Sequence, residues 1–373
     1  MILGYDAKRI THNKTGLGNY SRFVVNGLAS CFPGNTHYLY TPGEGDESLR
    51  KQVEHPNACF RYPQGIYRLC PSFWRSGHMP ADLKRDGVEV FHGLSNELPM
   101  GINRSGIPSV VTLHDLIFLR YPQLYAPIDR QIYRYKFRQA CLHADRIVAV
   151  SRQTKEDAVS FFHIKEEKIA VVYQGCSPSF YHPVPDDRQQ EVREKYGITT
   201  PYILYVGSME KRKNLLSAVK ALRRLDTGIA LIAIGRRTSY MDSVEAYIRE
   251  QGLGGRVRLL TGVPFADLPA FYRMAALFVY PSFFEGFGIP VLEALASGTP
   301  VVAASGSCLE EAGGPGSLYA DPSDEAGLAD LMKQVLDNPR LADAMRRQGK
   351  AYAGRFAPGI LASEMMKVYQ DVL

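Results

Sequence analysis

The chain is expected to fold as an α/β protein with two parallel-sheet domains, and three observations carry that expectation. Apolar runs of four to seven residues alternate with helix-period segments along almost the whole length, as in sheets whose parallel strands are joined by crossover helices. The alternation breaks once, after Gly175, where CSPSFYHPVPDDRQQ carries three prolines and little periodicity and reads as an interdomain connection. The 373 residues, 45% hydrophobic and 22% charged, suffice for two or three filled cores.

In chain order, strands are expected near Ile2–Asp6, Tyr38–Tyr40, Val88–His92, Ser109–His114, Ile147–Ser151 and Ile169–Tyr173, with helices over Asn19–Ser30 and Ile128–His143. Residues 63–80, with Tyr67, Phe73 and Trp74, look irregular: either a loop that orders on a ligand or a packed excursion. Ser151 has the position of a helix cap. After the break come PYILYVG, a helix from Asn214, GIALIAIG, a helix near Ser243–Gln251, RVRLLTG and a helix near Phe265–Ala275. Three helical stretches close the chain, at about 324–337, 340–355 and 358–372. The natural architecture is two Rossmann-like domains, 1–180 and 181–357, facing one cleft.

Composition narrows the function. Residues 1–180 hold 22 Lys+Arg against 16 Asp+Glu, and the remainder holds 22 of each, so the net charge of +6 belongs to the first half. That half suits an acidic acceptor or an anionic membrane surface. No basic run with interleaved aromatics points to nucleic acid. No stretch approaches the roughly 18 apolar residues of a membrane span, and MILGYDAKRI is unlike a signal peptide. The six scattered cysteines show neither C-x-x-C pairing nor metal spacing, in keeping with a cytoplasmic protein.

The richest segment is Tyr280–Val302, YPSFFEGFGIPVLEALASGTPVV: a buried strand, a Gly-rich turn, a helix with Pro290 expected at its first position, and a second strand after Gly298. Gly286 and Gly288 let the backbone approach a ligand. The helix start presents N–H groups and a positive dipole end suited to a phosphate. Glu285 lies in the turn and Glu293 is expected in the first helical turn, so the two carboxylates could grip two hydroxyl-bearing parts of one ligand. This run resembles the Glu-x7-Glu signature of family-4 retaining glycosyltransferases with the GT-B fold. The resemblance implies that Glu285 contacts a donor sugar and Glu293 the nucleotide ribose, with Gly286, Phe287, Gly288 and Ile289 completing that wall. It also implies a C-terminal helix, 358–373, that crosses back onto the first domain.

Other segments extend the resemblance over essentially the whole chain. YVGSMEKRKNL places three cations at the C-terminal edge of a strand, where α/β ligands sit. It is similar to the family's Gly-x-x-x-x-Arg-Lys-Asn segment, beginning at Gly207, which assigns Arg212 and Lys213 to the donor diphosphate. Ser208 stands where many relatives have arginine. TGLGNY is a poor dinucleotide fingerprint, with Ser21 at the third glycine position and no acid in YLYT. The family likeness instead puts Gly16 and Gly18 over the donor phosphates. His114, at a strand end in VVTLHDLIF, takes the place of the family histidine that contacts the donor sugar. His92 and Asp115 are expected near the acceptor, and Gly235, Arg236 and Val263 near the base. SCLEEAGG departs from the frequent Leu-Pro-Glu-Val, with Glu310 in place of proline and Glu311 keeping the glutamate. No Asp-x-Asp occurs, so neither metal nor cofactor is expected and cationic side chains would balance the diphosphate. Similarity to bacterial transferases of surface polysaccharide synthesis favours GDP-mannose as donor and a glycan or lipid-linked acceptor. UDP- and dTDP-sugars remain open, as does a non-catalytic nucleotide-sugar-binding protein.

Overall fold

The computed structural model describes residues 1–225 and 228–373. They form two compact units, unit 1 (Met1–Gly175 with Phe356–Leu373) and unit 2 (Cys176–Arg355).

Unit 1 holds seven strands: β1 (Ile2–Asp6), β2 (Thr36–Tyr40), β3 (Ala58–Arg61), β4 (Val90–Gly93), β5 (Ser109–Leu113), β6 (Arg146–Ala149) and β7 (Ile169–Val171). They pair in parallel in the order β3-β2-β1-β4-β5-β6-β7. The chain builds outward from β1 to β3, then returns to the other side of β1, so the order reverses at the β1/β4 junction. Beside such a reversal the connections leave in opposite directions and open a crevice at the strands' carboxyl ends.

β3 is absent from the expected strands. It is a four-residue edge strand in which no residue is fully buried, so it lacks the apolar run that marks the interior strands. The aromatic stretch resolves into short helical turns, Gly65–Arg68, Pro71–Phe73 and Trp74–His78, leading into the helix Met79–Arg85. Trp74 is fully buried, and its indole N–H donates to Asp82 Oδ2 at 2.6 Å, which makes this end of the stretch packed structure. Ser151 caps the helix Arg152–Phe162 by accepting from the Thr154 N–H at 3.0 Å.

The last helix, Pro358–Gln370, completes unit 1 by packing on the helix Gly16–Cys31. At their contact the Gly27 Cα faces Ala362 and Pro358, where an added methyl would sit 3.5 Å from the Ala362 side chain. Tyr369, fully buried, accepts or donates a hydrogen bond of 2.7 Å with His92 Nδ1.

Unit 2 repeats the plan with six parallel strands: β8 (Tyr202–Val206), β9 (Ala230–Ile234), β10 (Val257–Leu260), β11 (Leu277–Tyr280), β12 (Val301–Ala304) and β13 (Leu318–Ala320). Their order is β10-β9-β8-β11-β12-β13, with the reversal between β8 and β11. β11 and β12 are buried along their whole length, the continuous apolar pattern of a sheet covered on both faces. The proline-rich connection is shorter than expected, because Asp186–Tyr196 is already helix, with two aspartates in its first turn to complement the dipole.

Candidate active site

In unit 2 the loops after β8 and β11 leave neighbouring strand ends, which brings the two charged motifs together. After Gly207 the chain makes one turn of 3-10 helix, Lys211–Lys213. It then passes through Asn214 in the left-handed region, at φ 58°, into the helix Leu215–Leu222. Asn tolerates that conformation better than most side chains. Its carboxamide donates to the carbonyls of Pro281 at 3.1 Å and Pro322 at 2.8 Å. The Phe283 N–H donates to the Arg212 carbonyl at 2.9 Å. These bonds stitch the Arg212–Lys213 turn to the loop that carries Glu285.

Glu285 sits at the centre of the junction. Arg212 Nη1 lies 3.0 Å from its Oε2 and Lys213 Nζ 3.2 Å from its Oε1. Oε1 also accepts from the Tyr280 hydroxyl at 3.0 Å and the Ser282 hydroxyl at 2.9 Å. Lys213 in turn donates to the Tyr280 oxygen at 2.8 Å, and Arg212 donates to the Phe284 carbonyl. Burial alone would raise the Glu285 pKa. The facing Lys213 and Arg212 charges and the hydrogen bonds outweigh it and hold the carboxyl down at about 2. Glu285 is therefore a fixed anion, and Arg212 and Lys213 are two cations gathered on it.

Glu293 occupies a different environment, and its position corrects the sequence expectation. The helix runs Ile289–Ser297 with Gly288 as its N-cap, so Pro290 is the second residue and Glu293 the fifth, one turn deeper. Glu293 is 8% exposed and accepts from the Tyr272 hydroxyl at 2.8 Å. Burial pushes its pKa up to about 7, against the opposing effect of the Tyr272 bond. No side chain caps this helix. Gly288 has φ 117°, and a side chain there would meet Leu309 at 2.7 Å. The Cys308 thiol reaches the Glu285 carbonyl at 3.0 Å, while Glu310 accepts from the Gly306 N–H at 2.8 Å. The turn that departs from the family pattern thus packs directly behind the Gly-rich one, with Phe287 buried and Gly286 and Ile289 half-buried.

The loops after β8 and β9 are also joined. Gly207 N–H donates to the Ile234 carbonyl at 2.9 Å and Met209 N–H to the Arg236 carbonyl at 3.0 Å. Gly235 lies so close that a Cβ would fall 1.8 Å from the Gly207 carbonyl oxygen, which leaves only glycine possible. The Arg236 guanidinium is exposed, 3.7 Å from Glu210, and Val263 is half-buried beyond β10.

In unit 1 the two candidate histidines, His92 and His114, are held in the interior. His114, just past β5, is 5% exposed. Its Nε2 lies 2.9 Å from the Leu94 carbonyl, which requires the proton on that nitrogen, and Nδ1 accepts from the Gln174 amide at 3.0 Å. The Tyr20 ring meets the imidazole edge-on at 4.7 Å. Burial lowers the His114 pKa to about 4, so the ring is neutral. His92 corrects the acceptor assignment: it is 1% exposed, with Tyr369 on Nδ1 and the Thr112 hydroxyl at 2.8 Å on Nε2. It ties the final helix to the sheet and offers nothing to a ligand. Asp115 is half-buried and accepts from the Ile117 N–H at 3.2 Å. Gly16 and Gly18 are the first and third residues of the helix Gly16–Cys31 and not part of a preceding loop. Gly16 is open to solvent. Among the described residues no three His, Cys, Asp or Glu side chains gather as metal ligands.

The residues that sequence reasoning passed over are positioning groups: Tyr280, Ser282, Asn214, Tyr272 and Gln174. Only Asn214 carried a signal, directly after the Arg-Lys pair.

Residues 188–352 match the family model "Glycosyl transferases group 1" and residues 15–180 match "Glycosyltransferase Family 4". O-antigen chain mannosyltransferase B of Escherichia coli is 32% identical over 391 residues, covering 99% of this chain and 100% of its own. O-antigen chain mannosyltransferase RfbU of Salmonella typhimurium is 30% identical over 237 residues, 64% of this chain and 62% of its own. A glycosyltransferase structure from Rickettsia africae ESF-5 superposes with a TM-score of 0.78 at 16% identity, over 100% of this chain and 98% of the other. Two Rossmann-like parallel-sheet units and a final helix returned to the first are the parts of the GT-B fold. The chain belongs to the group 1, family 4 glycosyltransferases.

Proposed function

We propose that this glycosyltransferase moves mannose from GDP-mannose to a hydroxyl of a glycan or lipid-linked acceptor, with retention at the anomeric carbon and without a metal. The observation that carries the reading is the clamp of Arg212 and Lys213 on Glu285. A donor diphosphate arriving at the β8/β11 junction draws the two cations onto its oxygens. Glu285, now sharing the two cations with the diphosphate and still held by the Tyr280 and Ser282 hydroxyls, accepts hydrogen bonds from the sugar hydroxyls. As the bond from the anomeric carbon to the phosphate oxygen breaks, Arg212 and Lys213 take up the growing negative charge. The acceptor oxygen bonds to the anomeric carbon on the same face, and its proton passes to the departing phosphate. A neutral His114 with both nitrogens already bonded supports that proton route over a histidine base. Glu293 serves the ribose. The choice of mannose rests on the mannosyltransferases among the relatives.

Titration with GDP, UDP and dTDP, then turnover of the matching sugar donors with and without EDTA, tests the proposal. Preference for GDP, with EDTA-resistant transfer from GDP-mannose, is expected. Preference for UDP or dTDP overturns the donor and leaves the transfer mechanism; loss of activity in EDTA overturns metal independence.

The enzyme is further proposed to work in the cytoplasm, touching an anionic membrane face through unit 1. Its helix Pro127–His143 leaves Ile128 (74%), Ile132 (45%) and Tyr135 (68%) exposed at helical spacing, beside the exposed Arg134, Lys136 and Arg138. No helix among the described residues is long and apolar enough to cross a membrane. Flotation with anionic liposomes at low salt, abolished at high salt, is expected; absence of flotation at low salt refutes the contact.

A further inference from the structure

The reversal point of unit 1 carries two cations with no side-chain bond of their own among the described residues. β1 ends at Asp6, and the short helix Lys8–His12 follows at once, so Lys8 and Arg9 stand at the carboxyl edge of the sheet beside β4. The carboxylates near them are already engaged. Arg75 binds Asp6 Oδ2 through Nη2 at 2.5 Å and Nε at 2.9 Å, and Glu97 through Nη1 at 3.0 Å. Neither Lys8 nor Arg9 forms a side-chain hydrogen bond or ion pair among the described residues, and Arg9 Nε is fully buried without a partner. Burial, then repulsion from Arg75 and Arg9, lowers the Lys8 pKa and outweighs the pull of Glu97 and Asp6, which marks how closely the cations crowd.

We infer that Lys8 and Arg9 form an anion subsite in unit 1 that binds a phosphate or diphosphate carried by the acceptor. The inference rests on the reading of the chain as a transferase to a glycan or lipid-linked acceptor. Neutral sugar hydroxyls would leave two half-buried cations uncompensated, whereas a phosphate supplies both the charge and several acceptor oxygens. The guanidinium offers it the Nη donors at its tip, and the ammonium a further donor. Unit 2 makes the parallel: there, too, the loop after the unit's first strand brings two cations to the reversal point, but Glu285 balances them. At the equivalent place in unit 1 the balancing anion is the ligand. The same chemistry could come from the donor's own diphosphate, and the experiment separates the two sources.

With the protein saturated by GDP, inorganic pyrophosphate is titrated by calorimetry into the wild type and into the Lys8→Gln/Arg9→Gln double variant. One pyrophosphate per GDP-bound wild-type chain is expected. The double variant should bind it at least about tenfold more weakly, with unchanged GDP affinity and thermal midpoint. Turnover on a diphosphate-linked acceptor should show a raised acceptor KM with kcat and the donor KM preserved. No pyrophosphate binding to the GDP-saturated wild type overturns the subsite. Weakened GDP binding in the variant assigns the cations to the donor and overturns it equally. Should the wild type fail to bind GDP, the donor reading falls, and the same pyrophosphate titration without nucleotide still decides the subsite.

Discussion

Unit 1 and unit 2 both reverse their strand order beside their first strand, yet the side chains collected near that edge behave in opposite ways. In unit 2 Glu285 is held ionised, at about 2, by Arg212 and Lys213. In unit 1 burial keeps His92 and His114 neutral, at about 3 and about 4, with every ring nitrogen bonded inside. Sheet topology decides where side chains gather. Whether they become a charged centre or part of the packing depends on whether a counter-charge or only a neutral dipole faces them.

The comparison breaks most severely at Glu285. Glu285→Ala should lower kcat/KM at least about 100-fold and cost about 3 kcal/mol of stability in unit 2, because Arg212 and Lys213 lose the buried carboxylate they share. Near-native turnover would remove Glu285 from the site. The histidines should reveal themselves through acid stability. Each binds its proton far less readily folded than unfolded, so its contribution is complete above the ordinary histidine pKa of 6.5 and is lost as pH falls below it. The loss is about 1.4 kcal/mol per pH unit for each ring down toward its folded value. Urea melts from pH 7 to 5 check this, and His92→Gln should flatten the slope.

Asn214→Ala should reduce transfer about tenfold, about 1.4 kcal/mol of barrier, by loosening the Arg212–Lys213 turn. Asn214→Gly, which restores the left-handed backbone without the carboxamide, separates strain from positioning: full recovery would assign the defect to backbone strain. Glu293 gives a subtler effect. Its pKa is raised, so the stability it lends is greatest at low pH and declines from 4.5 up to about 7, while hydroxyl binding by the carboxylate grows over the upper part of that range. GDP affinity should therefore rise several-fold between pH 6 and 8, and Glu293→Gln should abolish the rise. The smallest change is Tyr369→Phe, which removes one buried hydrogen bond to His92 and should cost about 1 kcal/mol without altering kcat.

Much of this was legible in the residues. β11, β12 and the Glu-x7-Glu run combine a continuous apolar pattern with glycines and a proline, all of which act locally. β3 was not legible, since an edge strand half open to water needs no apolar run. The placement of Glu293 turned on one backbone unit, Ile289, joining the helix ahead of Pro290. His92 misled for a different reason: its partner Tyr369 lies 277 positions away, beyond any local pattern. The clamp on Glu285 likewise needs β8 and β11 to be neighbours, which follows from the whole sheet and from no single motif.

The last helix has a consequence for biosynthesis. Unit 1 is assembled from residues 1–175 and 356–373, so its first sheet emerges from the ribosome while its closing helix is still about 180 codons away. At roughly 5–20 residues per second, that sheet waits about ten to forty seconds with the groove beside the Gly16–Cys31 helix uncovered. Unit 2, continuous from 176 to 355, has no such interval and can complete its core first. The order of synthesis is therefore the reverse of the order of completion, and the unit made first is the one that most needs shelter from aggregation.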